Sequence, residues 1–217
     1  MPLALFDLDN TLLAGDSDYL WGQFLVEQNI VDPIEFAKEN KRFYIEYERG
    51  ELDIKEFLAF QLKPLGTHNK EQLHRWREQF LHEKIDPIIL PGARDLLKTH
   101  TNKGDTPLII TATNRFITGP IAEIFGVEHL LATEVEIRDG EYTGQSTDTP
   151  CFQQGKVERL ERWLAEHDVT LDDSFFYSDS HNDLPLLKLV SHPVAVDPDD
   201  ILREYANQQG WPIISLR

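Results

Sequence analysis

Short apolar runs that break off at polar or acidic residues set the pattern of this chain. Leu3-Ala4-Leu5-Phe6 stops at Asp7; Leu108-Ile109-Ile110 meets Thr111 within residues 106–114; Phe175-Phe176-Tyr177 leads into Ser178 and Asp179. Runs this short and this apolar read as strands buried on both faces, as in a parallel sheet. Helical patterns lie between them: one follows Pro91-Gly92, one stops at Gly126, and one amphipathic stretch runs from Gly155 to His167. The alternation implies an α/β fold, a doubly wound parallel sheet with right-handed crossovers. Asp139-Gly140 sits between alternating residues and signals a hairpin. Residues 192–199 and 211–217 read as further short strands.

One block departs from this rhythm. From about Asp16 to Lys84, apolar positions recur at helical spacing, as in Trp21, Phe24 and Leu25, then Phe57, Leu58, Phe60 and Leu62, then Leu73, Trp76 and Phe80. The block is expected to be a helical insertion, residues 15–85, between core segments 1–14 and 86–217. The 217 residues suffice for one such domain with its insertion. A net charge of −17 argues against nucleic acid or an anionic membrane, which need clustered Lys and Arg. It also means that an anionic substrate depends on local positive charge or a metal. With Cys151 alone there is no intrachain disulfide, and no apolar run reaches membrane length. No basic, then apolar, leader is present, so no signal peptide is expected and the cytoplasm is the expected compartment.

In open α/β sheets ligands bind at the carboxyl ends of the strands. Asp7, Thr111 and Asp179 fall there on three different strands. Asp7 and Asp9 are two apart on extended chain, so both can face one pocket. Their repulsion would be relieved by Mg²⁺, which favours carboxylate and phosphate oxygens; a strand-end turn capped by Asp is the alternative. Asp179 and Asp183, with Asn182 between them, form a second acidic loop, or a turn with a helix cap. A Thr111 hydroxyl beside a helix start can hold a phosphate oxygen. Lys156 opposes the dipole of its own helix start, which makes sense if it faces an anion; otherwise it is a surface lysine.

Asp7-Leu8-Asp9-Asn10-Thr11, Thr111, Lys156 and Asp179-Ser180-His181-Asn182-Asp183, in this order, resemble the four motifs of the haloacid dehalogenase-like (HAD) phosphatases. The insertion resembles the cap of the phosphoserine phosphatase-like branch. The resemblance implies that Asp7 is a nucleophile forming an aspartyl-phosphate, and that Asp9 is the general acid and base. It implies Mg²⁺ held by Asp7, the Asp9 carbonyl and Asp179, with Thr111 and Lys156 on the phosphoryl oxygens and Asn182 and Asp183 supporting the metal loop. Ser178 stands where the family often has Gly, and is expected to narrow the backbone near the metal.

Asp9 favours a phosphatase over a dehalogenase, while a phosphotransferase or mutase shares the same motifs; a phosphate-binding module without turnover is the non-enzymatic alternative. The cap favours a small phosphorylated metabolite. In this branch an acidic residue after the first motif binds the substrate amine, and Asp16 holds that place or caps a helix. The cap arginine that binds a substrate carboxylate is expected near Ala59, and residues 52–65 contain no arginine; Arg42 and Arg49 are possible substitutes at other spacings. A phosphorylated amino alcohol without a carboxylate, such as L-histidinol phosphate, therefore fits better than phosphoserine. Trp21, Phe43, Tyr44 and Tyr47 either stack on its imidazole or form cap core.

Overall fold

The computed structural model describes residues 2–217. Its frame is one sheet of seven strands: β1 (Leu3–Phe6), β2 (Thr106–Asn114), β3 (His129–Arg138), β4 (Glu141–Thr147), β5 (Phe175–Ser178), β6 (His192–Val196) and β7 (Ile213–Ile214). The spatial order is β4-β3-β2-β1-β5-β6-β7, and every pair is parallel except β3 with β4. The antiparallel pair turns at Asp139-Gly140, both at positive φ, 52° and 85°, as a tight hairpin requires.

Between β1 and β2 the chain forms α1 (Ser17–Glu27), α2 (Pro33–Glu48), α3 (Ile54–Gln61) and α4 (Lys70–Phe80). Each begins at a polar cap, Asp16, Asp32, Asp53 or Asn69, whose side chain accepts from a backbone N–H of the first turn. Such a cap stabilises a helix start by about 1 kcal/mol. The chain leaves the sheet and returns to it side by side. Leu13 bridges Ile89, Ala14 N donates to Ile88 O at 2.7 Å and Leu90 N to Leu12 O at 3.2 Å.

The remaining helices cover both faces of the sheet. α5 (Pro91–Lys103) and α6 (Arg115–Phe125) lie on one face; α7 (Gln154–His167), α8 (Leu184–Leu187) and α9 (Asp200–Gln209) lie on the other. The strands divide their side chains accordingly, with period two. Ala4, Phe6, Ile109 and Tyr177 pack with α5 and α6, whereas Leu3, Leu5, Ile110 and Phe176 pack with α7 to α9. Burial on both faces explains why these strands read as continuous apolar runs. Trp21 belongs to this core and not to a ligand site. It is 1% exposed, stacked on Phe24 and edge-on to Phe80 and Phe116, which corrects the stacking role considered for it.

Candidate active site

Asp7 follows β1 directly, Thr111 lies in β2, Lys156 is in the first turn of α7, and Asp179 follows β5. Because β1 pairs with β2 on one side and β5 on the other, the sheet brings all four together where the strand order changes direction. β2 continues three residues beyond Thr111, so this threonine sits inside the strand and not at its end. Its Oγ1 accepts from Thr113 N at 3.2 Å, which leaves the hydroxyl proton free to donate.

Lys156 is 2% exposed, and its Nζ donates to Asp7 Oδ1 at 2.8 Å and to Asp183 at 2.7 and 2.8 Å. The helix can start this deep because its second residue is Gly155: a Cβ there would collide with the Pro150 carbonyl. Two carboxylates outweigh the burial of the ammonium and hold it charged, well above the usual lysine range. Asp183 spends both oxygens on Lys156 and also accepts from Ser178 Oγ at 2.7 Å. Asp183 therefore positions the lysine. Ser178, fully buried, is a clasp for Asp183, and its hydroxyl is turned to that partner. Asn182 accepts from Gln153 Nε2 at 2.9 Å and donates to Tyr47 O at 3.0 Å, tying the Asp179 loop to α2.

Burial pushes Asp7 up to about 7 despite Lys156. Burial, then the charges of Asp7 and Asp183, hold Asp179 well above the carboxylate range. Thr11 Oγ1 donates to Asp179 Oδ1 at 3.0 Å and accepts from Asp179 N at 3.1 Å, so the first motif holds the fourth. Asp7 and Asp179 are neighbouring carboxylates held up by burial, the second also by the first, and a cation would relieve both; oxygen-only ligands suit Mg²⁺. The residues fit that ion. Asp9 is held differently: Ser17 N donates to Oδ1 at 2.6 Å and Thr113 Oγ1 to Oδ2 at 2.8 Å. Burial, with the charge of Asp16 adding to it, pushes Asp9 up to about 6.

A cavity opens beside this cluster, lined by Asp7, Asp9, Asp16, Asp18 and Thr111 and walled by aromatic residues. Its volume is about 40 Å³, so it is a narrow slot. Phe43, Tyr44, Tyr47 and Phe57 line it. Asp16 both caps α1, accepting from Tyr19 N at 2.8 Å, and lines the slot. No Lys or Arg among the described residues lines it. Arg42 is engaged with Glu39, Glu46 and Glu56, each at 2.8 Å, and Arg49 lies in a separate surface hollow with Gly50 and Gln153. Neither substitutes for the expected cap arginine. Ala59, the expected place of that arginine, is exposed, and the α3 residues that line the slot are Ile54 and Phe57.

Comparison with known proteins agrees with this geometry. The model of the haloacid dehalogenase-like hydrolase family matches residues 4–188. The chain belongs to this family. It is 45% identical over 219 residues to a histidinol-phosphatase of Neisseria meningitidis serogroup C (strain 8013), covering 99% of both chains. A crystal structure of a protein of unknown function from Bordetella pertussis Tohama I superposes with a TM-score of 0.93 at 45% identity, covering 100% of this chain and 99% of that one. A phospho-aspartyl intermediate analogue of phosphoserine phosphatase shares the fold, with a TM-score of 0.73 at 20% identity over 100% of this chain and 93% of that one.

Two residues of this HAD-like hydrolase site are not evident from the sequence. Thr113, on Asp9, is signalled by its place two residues after Thr111, on the same side of β2. Asn10, part of the first motif, has a positive φ of 57°, so its identity serves the backbone of the loop. Asp18 is 6% exposed, and burial pushes it up to about 7, as it does Asp16. Nothing in the sequence separated it from an ordinary acidic residue of a helix first turn.

Proposed function

We propose that this protein hydrolyses the phosphomonoester of a small cationic alcohol, with L-histidinol phosphate as the favoured substrate, through an aspartyl-phosphate and with Mg²⁺. The chain is a phosphomonoester hydrolase of the haloacid dehalogenase-like family, and one observation carries the choice of substrate. The slot beside Asp7 presents the half-buried Asp16 and the buried Asp18 and, among the described residues, no cation. A substrate carboxylate would face two acidic side chains with no counter-charge; a substrate ammonium would pair with one of them. The 45% identity to a histidinol-phosphatase supports the same reading.

The residues divide the chemistry. Lys156 fixes one oxygen of Asp7, which leaves the other to attack phosphorus. The free proton of Thr111 holds a phosphoryl oxygen, and Lys156, whose N–H groups go to Asp7 and Asp183, places its positive charge beside the phosphoryl group. Asp7, the Asp9 carbonyl and Asp179 would hold Mg²⁺, which supplies positive charge to screen the phosphate. Asp9, near 6, is poised to give its proton to the leaving alkoxide, while Ser17 N and Thr113 Oγ1 keep its carboxyl aimed. Asp9 then takes a proton from the water that opens the aspartyl-phosphate, which frees phosphate and restores Asp7.

The test is phosphate release from L-histidinol phosphate with Mg²⁺, with chelator, and in Asp7→Asn, in the presence of a labelled alcohol acceptor. The expected result is metal-dependent release with no label transferred and none from Asp7→Asn. Transfer of phosphate to the acceptor would make the enzyme a phosphotransferase. Release by Asp7→Asn at the native rate would remove the nucleophile.

A further inference from the structure

Asp18 takes part in no step derived above, yet it is buried against the slot. Gln61 Nε2 donates to its Oδ1 at 2.8 Å and to its backbone carbonyl at 2.7 Å, and Asn114 Nδ2 reaches the same Oδ1 at 3.3 Å. Both donors are themselves held. Gln61 is 1% exposed at the end of α3, and Asn114 caps α6 through Ile117 N. The second oxygen, Oδ2, receives no donor from the described residues, although Asp18 is more than nine-tenths buried and lines the slot. Oδ2 keeps a little open surface at the slot, so a ligand there can reach it and supply the donor that the protein does not.

We propose that Asp18 is a specificity-determining residue whose Oδ2 accepts a hydrogen bond from a ring N–H of a substrate bearing an N–H heteroaromatic group, while Asp16 binds the substrate's alkylamine. This rests on the reading of the slot as one for a cationic alcohol phosphate. The two carboxylates divide by position. Asp16 caps α1 through Tyr19 N, whereas Asp18, in the first turn of that helix, is held by Gln61 and Asn114 on the α3–α6 side. A flat ring fits the walls between: Phe43 meets Phe57 edge-on with centroids at 5.4 Å, and Tyr44 lies against Tyr19 at 4.8 Å. An imidazole carries an N–H in both its neutral and its charged forms, so the contact survives titration of the ring.

Asp18→Asn tests the idea with little change in shape. Gln61 and Asn114 demand an acceptor on their side, so the new amide must point its NH₂ into the slot, where it opposes a ring N–H. kcat/KM is measured for L-histidinol phosphate, for an imidazolylalkyl phosphate lacking the amine, and for phosphoethanolamine, which has the amine and no ring. The expected loss is about 10- to 100-fold for both ring substrates, the range of a hydrogen bond to a charged group, and within about twofold for phosphoethanolamine. Equal losses on all three, or no loss on the ring substrates, overturn the proposal. Gln61→Leu is the second variant: it leaves Asp18 Oδ1 with Asn114 alone, loosening the carboxylate, and is expected to raise KM for the ring substrates alone; a uniform loss counts against the proposal in the same way. If native enzyme releases phosphate from neither ring substrate, the reading of the slot itself fails; if it hydrolyses them and both variants are flat, only the role of Asp18 fails.

Discussion

Two groups of buried carboxylates sit side by side in this protein, and their surroundings differ. At the phosphate end, Asp7 and Asp183 share the Lys156 ammonium, and Thr11 and Ser178 occupy further oxygens of Asp179 and Asp183. At the slot end, Asp16 and Asp18 have backbone and amide donors and no cation. The first group carries one counter-charge of its own, and in the proposed reaction Mg²⁺ would add the rest beside the phosphate. The second has none, and in the proposed reading the ligand brings it. The proposal thus gives one residue type catalysis in one place and recognition in the other, and burial raises both.

The largest expected effect breaks the first group. Lys156→Met leaves Asp7 and Asp183 buried without their cation, a loss of about 3–5 kcal/mol of folding stability by analogy with broken buried pairs. Urea unfolding would measure it, and an unchanged midpoint would mean that the carboxylates are simply protonated there. Next comes Asp9→Asn, which removes the acid that Ser17 and Thr113 aim. Its cost should be about 10²- to 10⁴-fold on an alkyl phosphate and far less on 4-nitrophenyl phosphate, whose leaving group needs no proton. Equal costs on both would remove Asp9 as the acid.

Much of this division was legible in the sequence, because the four motif pieces are local patterns at strand ends and a helix start. The hairpin at Asp139-Gly140 and the helix stop at Gly126 were equally legible, since the left-handed backbone they need is a property of few residues. What escaped depends on register across the sheet and on the fold of the insertion. Thr113 meets Asp9 only because β1 and β2 pair in parallel with Phe6 opposite Ile109. Ser178 acts through Asp183, after a turn whose shape no spacing rule supplies. Asp18 looked like a helix first-turn acid until α3 and α6 placed Gln61 and Asn114 on it. Trp21 could be ligand platform or core by sequence alone, and only the closing of α4 and α6 over it decides for core.

A smaller effect sharpens the comparison through pH. Burial holds Asp7, Asp16 and Asp18 near 7 and Asp9 near 6 in the folded chain, against 3.8 for the free carboxyl. The folded state therefore binds more protons than the unfolded one across this window. Their contribution to stability is fully present below about pH 3.8 and is lost as pH rises through about 7. In chelator, Tm should fall between about pH 5 and pH 8. Mg²⁺ should restore part of the loss through the first group, and L-histidinol a separate part through the second. A flat profile, or restoration by one ligand that abolishes the other's effect, would join the two groups into one.

The most direct test of the slot is the ratio of kcat/KM for L-histidinol phosphate to that for O-phospho-L-serine, measured side by side on native enzyme. Both substrates carry an amine and a phosphate, and phosphoserine adds the carboxylate that two uncompensated aspartates should repel. The expected ratio is at least about 100, the size of a mispaired buried charge of roughly 3 kcal/mol. A ratio near one would contradict the claim that the missing cation in the slot decides the substrate.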